Sequence, residues 1–506
     1  MILVDESRCS GCLICAEECP TGAIQVANRL AVVGEGCSHC QLCIKLCPKG
    51  ALRIKQDATE ARAKCTACPV ECEILEGYWG ACQRYKNLNG RLILRSPLVV
   101  PEQAGPRHQT VLDPLITGIG AGTTSPCYEP APYVVEEKRG DVDVVTVVSE
   151  VPLSYSGIKV KIDTNLTIGE EGSVVRRQGR AIGRVTTEEY GSKMLSLGGV
   201  NVVHGKGGST AIRTIVDLIN RGEVELRVEN GPSLKLRVGE RPIIDGKVSD
   251  KMRVGCGSAA AAMFAPYFKE VADEVIVLDP GITGLFSEHQ AGRSIGMVWS
   301  GITPLGIKST IGRYFGHSGG GLGGTNVRTA RDAVASIDMR VARPGMTVLI
   351  TDTAGETGTM FRVTADGDLE EIPLTPEAQK VVGLIQENCE ESRVSAIYMA
   401  GVGGSARSGV TKFPIKLTRA VHAGLVRLTV AGSPVFVLPG GGITFGIDVE
   451  RIPVGAVTWV PTPATVAPIE YTMPREVYEQ IEGHLEKIRS RQEVLREREI
   501  RWLKDH

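Results

Sequence analysis

Cys9-Ser10-Gly11-Cys12-Leu13-Ile14-Cys15-Ala16-Glu17-Glu18-Cys19-Pro20 and Cys37-Ser38-His39-Cys40-Gln41-Leu42-Cys43-Ile44-Lys45-Leu46-Cys47-Pro48 are two copies of one spacing, C-x2-C-x2-C-x3-C-P. At that spacing four thiolates wrap a compact iron–sulfur core, and the fourth cysteine of each run ligates the core of the other run. One [4Fe–4S] cluster then takes Cys9, Cys12, Cys15 and Cys47, and a second takes Cys37, Cys40, Cys43 and Cys19. Pro20 and Pro48 turn the chain away from each core. A disulfide framework or a zinc site accounts poorly for eight cysteines duplicated with a proline after each copy.

Outward from these runs, residues 1–60 read as a bacterial-type two-[4Fe–4S] ferredoxin domain. Strands at 2–4 and 51–54 flank the cluster loops, and 23–26 with 30–33 form a hairpin around Asn28. Residues 61–95 carry a third set, Cys65, Cys68, Cys72 and Cys82. Its spacing matches neither common zinc ribbon, so a third [4Fe–4S] cluster is expected, with a structural zinc as the alternative. Such a cluster would relay electrons from the ferredoxin domain towards a catalytic domain. Residues 96–136, rich in Pro, Gly and Thr, are expected to link the domains and wrap over the catalytic one. Cys127 within them reads as an ordinary residue.

The 506 residues carry a formal charge of −1 and a pI near 6.7, which leaves no electrostatic footprint for nucleic acid. No apolar run reaches the length of a membrane span, and the start Met1-Ile2-Leu3-Val4-Asp5 lacks the basic and apolar regions of a signal peptide. Twelve of the fifteen cysteines precede residue 83, a usage suited to metal ligation in a reducing compartment. A cytoplasmic protein without membrane partners is expected.

Residues 137–473 read as a glycine-rich mixed α/β catalytic region, so the fold class is α+β or mixed α/β. Strands are expected at 142–148 and 158–162, and a helix at 211–221 with Ile212, Ile215, Leu218 and Ile219 on one face. Residues 223–238 alternate as a hairpin around Asn230-Gly231. Buried strands are expected at 274–278, 347–350, 395–399 and 435–438, each followed by a glycine- or aspartate-rich loop. Ligands in α/β sheets sit at the carboxyl ends of strands, so those loops are where chemistry is sought. Residues 474–506 read as one charged amphipathic helix with Tyr478, Ile481, Leu485, Ile488, Val494 and Leu495 as its apolar positions. It is expected to pack on the domain or on a partner subunit, which leaves room for a homo-oligomer.

Four glycine loops stand out: Lys206-Gly207-Gly208, Gly319-Gly320-Gly321, Gly403-Gly404 with Arg407, and Gly440-Gly441-Gly442. Bare backbone suits a phosphate or a planar cofactor pressed against the chain. Each loop alone reads equally as a tight turn, but several on one domain point to a flavin, FAD or FMN. None is a Walker loop or a dinucleotide fingerprint. In 287–293, Glu288, His289 and Arg293 fall within about a turn of one another. His289 suits proton transfer and Arg293 suits a carboxylate; the bland reading is a helix capped by Ser287 with solvated charges. His204 and Tyr190 are further candidate proton donors, and Arg313, like Lys206 and Arg407, a candidate carboxylate-binding cation. Cys256 and Cys389 read as small buried hydrophobes.

The stretches 153–163, 186–195, 287–292, 403–411 and 439–444, together with the N-terminal cysteine runs, resemble the 6-hydroxynicotinate reductase family from residue 9 to about 473. The resemblance implies an iron–sulfur flavoprotein that takes electrons from reduced ferredoxin. It would reduce a small heterocyclic carboxylate, 6-hydroxynicotinate, to 1,4,5,6-tetrahydro-6-oxonicotinate. Two other readings remain. One is a ferredoxin-linked reductase of another heterocycle or unsaturated acid. The other is a non-catalytic electron-transfer or reductive-activation protein, which would bind ATP and no flavin.

Overall fold

The computed structural model describes residues 2–55, 61–68, 70–95, 98–99, 110–119, 131, 133–152, 156–188, 190–461 and 464–501. Cys127, Tyr155 and most of the Pro-rich stretch lie outside these residues.

In the N-terminal module Ile2–Val4 pairs with Leu52–Ile54, and Ile24–Ala27 forms a hairpin with Leu30–Val33. Two short helices, Ile14–Glu17 and Leu42–Leu46, each start from a left-handed residue, Leu13 at φ 69° and Gln41 at φ 65°. Both residues sit at the same place in their cysteine runs, where the backbone must reverse to aim successive thiols at one centre. Two further hairpins follow, Arg62–Lys64 with Glu73–Leu75 and Tyr85–Leu88 with Arg91–Leu94. Their inner residues share one small core with Cys40, Cys65 and Cys72.

The catalytic region divides into two bodies. In the first, an eleven-stranded sheet runs in the order 247–248, 243–244, 233–236, 224–228, 174–177, 180–187, 192–197, 158–163, 393–402, 443–448, 436–438. Helix Gly208–Ile219 buries Ala211, Ile212, Ile215, Val216, Leu218 and Ile219, the face that its sequence periodicity predicts. That face joins the core shared with a second sheet, built on Val142–Pro152 and Ala464–Pro474. The hairpin at 224–236 turns at Asn230, which sits at φ 55°, as the Asn-Gly pair requires.

On the second sheet Glu470 is wholly buried. Its Oε2 accepts from Thr429 Oγ1 at 2.6 Å and from Gly432 N at 3.1 Å, and burial pushes its pKa up to about 8. A carboxyl raised on folding favours the folded state below its unfolded pKa, and this contribution is lost as the pH rises through the folded one. Stability should therefore fall between about pH 4.5 and 8, by at most about 1.4 kcal/mol per pH unit. Glu470→Gln is expected to flatten that slope in melting temperatures taken from about pH 5 to 8; an unchanged slope would assign it to other groups.

The second body carries a seven-stranded sheet in which Glu274–Leu278 runs parallel to Thr347–Asp352. One core, with Phe264, Phe268 and Phe286, includes helix residues, and another, with Tyr314 and Phe361, is formed largely by strands and loops.

Three expectations need correction. The strands at 393–402 and 436–438 pair antiparallel, so the rule placing ligands at the carboxyl ends of parallel strands reaches only 274–278 and 347–352. The apolar run at 435–438 is not buried: it is the sheet's edge, and Phe436 is 63% exposed. Residues 474–506 are not one helix. Helix Arg475–Gln480 stops where Glu482 turns left-handed at φ 57°, and Gly483 packs so close to the Tyr478 ring that a Cβ there would collide. Ile488–Ser490 then adds as a parallel strand to Tyr133–Arg139, and Arg491–Arg501 forms a second helix tied by Arg491 to Glu137 at 3.0 Å.

Candidate functional site

The twelve N-terminal cysteines gather into three groups. A cavity is lined by Cys9, Cys12, Cys15 and Cys47, so the fourth cysteine of the second run does reach the first run's centre. Cys43 feels Cys40, Cys37 and Cys19, and Cys40 also feels Cys19, which assembles the second group. Cys82 feels Cys68 and Cys65, and Cys72 feels Cys68 and Cys82, which assembles the third. Burial pushes the Cys43 and Cys72 thiols up to about 12 and Cys82 to about 11, neighbouring thiolates adding to each and Arg84 opposing it at Cys82. Desolvated thiols converging in this way are stable as thiolates only around compensating cationic charge, which an iron–sulfur core supplies. The residues fit such groups.

The groups form a line. Cys15 of the first is among the neighbours that raise Cys43 of the second, and Cys40 of the second raises Cys72 of the third. Both ends of the line touch the first catalytic body. At the third group, Cys82 packs on Val460, Ala464 and Val466, and Arg84 forms a buried ion pair with Glu150. At the first, Arg180 pairs with Glu17, and Arg213 donates to Glu17 O at 3.2 Å while stacking over Trp459 at 4.4 Å.

Between the first group and the eleven-stranded sheet lies a cavity of about 630 Å³ lined by Cys12, Glu17, Glu18, Arg180, His204, Lys206 and neighbouring small residues. Two of the residues singled out from sequence, His204 and Lys206, thus stand beside a cluster cysteine. His204 Nδ1 lies 2.9 Å from Val200 O and donates to it, which fixes the ring. Gly207 and Gly208 have a packing reason to be glycine: side chains there would collide with Ala181 O and Val203 O.

The remaining glycine loops divide. The register Val402↔Ile443 brings Gly403-Gly404 beside Gly440-Gly441-Gly442. Added Cβ atoms would meet nothing within 4 Å at Gly403 and Gly440–Gly442, and only Arg407 Nη2, at 3.9 Å, at Gly404. Packing therefore does not explain these glycines, and open backbone remains for a cofactor to approach. Strands 158–163, 192–197 and 393–402 meet at the row Leu197–Ile158–Tyr398, so these loops and the His204 loop lie toward one end of the sheet. Gly319 and Gly321 belong to the other body, where close backbone at Asn326 and Val327 accounts for them.

Tyr190, Glu288, His289 and Arg293 do not join that site. Tyr190 turns at the opposite end of the sheet, about 20 Å away along strand Ile158–Asp163. Glu288 pairs with Lys308 at 2.6 Å and accepts from Tyr314 OH at 2.8 Å, and these bonds hold its carboxyl below the usual range despite burial. His289, not Ser287, caps the helix Gln290–Ser294: its Nδ1 accepts from Ala291 N at 3.1 Å. Nε2 therefore carries the proton and donates to Ser258 Oγ at 2.9 Å, and burial pushes the pKa down. Ser287 Oγ instead donates to buried Glu274. Cys256 and Cys389 are half-buried.

Where the two bodies meet lies a set of ion pairs, of which sequence reading picked out Glu188 and Lys193 but missed Arg253 and Asp279. Arg253 pairs with Asp279 at 3.0 Å, Lys193 with Glu188 at 2.7 Å, and Arg253 N donates to Asn165 Oδ1 at 2.6 Å. Arg180, Glu17 and Glu18 were missed as well, because only the docking of module on sheet makes them a cavity wall.

A family profile for the 4Fe-4S binding domain matches residues 2–25. A 6-hydroxynicotinate reductase of Eubacterium barkeri is 47% identical over 493 residues, covering 97% of this chain and 99% of that protein. No solved structure matches.

Proposed function

The chain belongs to the 6-hydroxynicotinate reductase family and is an iron–sulfur oxidoreductase, and on that premise we propose that it reduces 6-hydroxynicotinate to 1,4,5,6-tetrahydro-6-oxonicotinate with electrons from reduced ferredoxin. Two electrons and two protons enter the ring. The observation that carries this reading is the cavity where Cys12 meets Lys206 and His204. Such a cavity has the size of a small-ligand site. Lys206 holds the substrate carboxylate, and His204, its ring fixed by Val200 O, delivers a proton to the substrate ring. A flavin, when bound, gathers single electrons into a two-electron delivery, and the open backbone at Gly403, Gly404 and Gly440–Gly442 supports its lying there. The third cysteine group is read as a cluster in line with the other two.

The test is anaerobic purification with iron, sulfide, zinc and flavin quantified per chain, then assay of 6-hydroxynicotinate with reduced ferredoxin. About twelve irons, bound flavin and turnover support the reading. About eight irons with about one zinc would make the third group structural. Turnover only of another heterocycle or unsaturated acid would move the substrate, and absence of flavin with binding of ATP would turn the chain into an electron-transfer activator.

A further inference from the structure

The three cysteine groups form a line whose first member borders the cavity with His204 and Lys206. The third group, read from sequence as a relay from the ferredoxin domain to the catalytic one, is the other end and is taken as the point of entry for electrons from outside. Above it sit Tyr78 and Trp79, four and three residues before Cys82, and the hairpin Tyr85–Leu88 with Arg91–Leu94. The hairpin register puts Tyr85, Asn87, Leu92 and Leu94 on one face, against the cysteine core, and Lys86, Leu88, Arg91 and Ile93 on the other. Lys86 and Arg95 both lie over the Trp79 ring, each 5.6 Å from its centre. Tyr78 is largely exposed.

The charge on this face is unbalanced. The acidic residues of 61–95 are all engaged: Glu71 by Lys64 at 2.8 Å, Glu73 by Arg62 at 3.6 Å, and Glu76 by the amides of Asn89 and Gly90. Arg84 is consumed by Glu150 in the interior. Among the described residues no carboxylate pairs with Lys86, Arg91 or Arg95. An apolar, aromatic centre with a rim of unpaired cations is the composition of an interface for an acidic protein.

We propose that this face is the docking surface for a small acidic iron–sulfur electron carrier, a reading that rests on the reductase assignment above. Each docked carrier would be oxidised by one electron, which the iron–sulfur cluster held by Cys65, Cys68, Cys72 and Cys82 would accept. Two successive carriers supply the pair that, with two protons, reduces one substrate ring. The first group's end offers a rival surface, since Leu13 is exposed there and Arg29 and Lys49 lie beside Gly11 and the Cys47 loop. That surface provides the control.

The experiment uses the full anaerobic holoprotein with two donors, a dithionite-reduced acidic two-[4Fe–4S] ferredoxin and reduced methyl viologen. Lys86→Glu/Arg91→Glu is expected to raise the ferredoxin KM and the calorimetric Kd of oxidised ferredoxin by about 10-fold or more and to flatten their dependence on salt. Viologen-driven turnover should stay within about two-fold, because a small dye needs no protein interface. Should charge reversal lower the iron content, Lys86→Gln/Arg91→Gln carries the same test, with an expected rise of about three-fold. Unchanged ferredoxin KM and Kd in these variants would overturn the proposal. So would the same loss appearing in Arg29→Glu/Lys49→Glu instead. Wild-type protein that binds ferredoxin but reduces no substrate with either donor would sink the reductase reading and leave the docking surface standing.

Discussion

Lys206→Met is expected to lower kcat/KM for 6-hydroxynicotinate by about 10- to 100-fold, the worth of a hydrogen bond between an ammonium and a carboxylate. Lys206 lines the cavity beside Cys12, and none of the ion pairs seen among the described residues engages it. The effect should fall on KM more than on kcat, because the carboxylate is held alike before and during ring reduction. The amide analogue of the substrate separates this role from a general disturbance. It lacks the charge, so the variant and the parent should reduce it at similar rates. An equal loss on acid and amide would mean that Lys206 does not bind the carboxylate.

Glu150→Gln is expected to destabilise the protein by about 3–5 kcal/mol, because it removes the carboxylate charge that faces the buried Arg84 guanidinium. The side chains of the pair are 4% and 2% exposed, and Arg84 lies two residues from Cys82. Loss of the pair should therefore lower the midpoint of anaerobic denaturation and, with it, whatever metal the third group retains. Removing both charges in Arg84→Met/Glu150→Met should recover most of the stability, since an apolar pair of similar size is tolerated where a lone charge is not. If the single and double variants unfolded alike, the residues would matter for their packing and not for their charge.

The cysteine module was legible because its chemistry is local: thiol spacing within each run dictates the loops that wrap a core. Helix Gly208–Ile219 and the Asn230 turn were legible for the same reason, each being decided within a few residues. The candidate site was only half legible. His204, Lys206, Gly403, Gly404 and Gly440–Gly442 were picked out, but so were Tyr190, Glu288, His289 and Arg293, which lie elsewhere. What separates the two sets is the antiparallel order 180–187, 192–197, 158–163, 393–402, 443–448. Strands more than 200 residues apart are neighbours in it, and no local pattern announces such an order. The run at 435–438 misled because an apolar strand suggests burial on both faces, whereas this one is an edge. The C-terminal segment misled because its charge pattern suits a helix while a left-handed turn at Glu482 breaks it.

The pairing of Val142–Pro152 with Ala464–Pro474 also sets an order of events during synthesis. The first body cannot close its second sheet until nearly the whole chain has left the ribosome, whereas the cysteine module has all its ligands by Cys82. At about 5–20 residues per second the interval is roughly 20–80 s. During that time the Cys82 thiol, which ends up against Val460, Ala464 and Val466, is still uncovered on that side. A cluster in the third group, on the reading proposed above, would have its easiest assembly before the last strand is laid down.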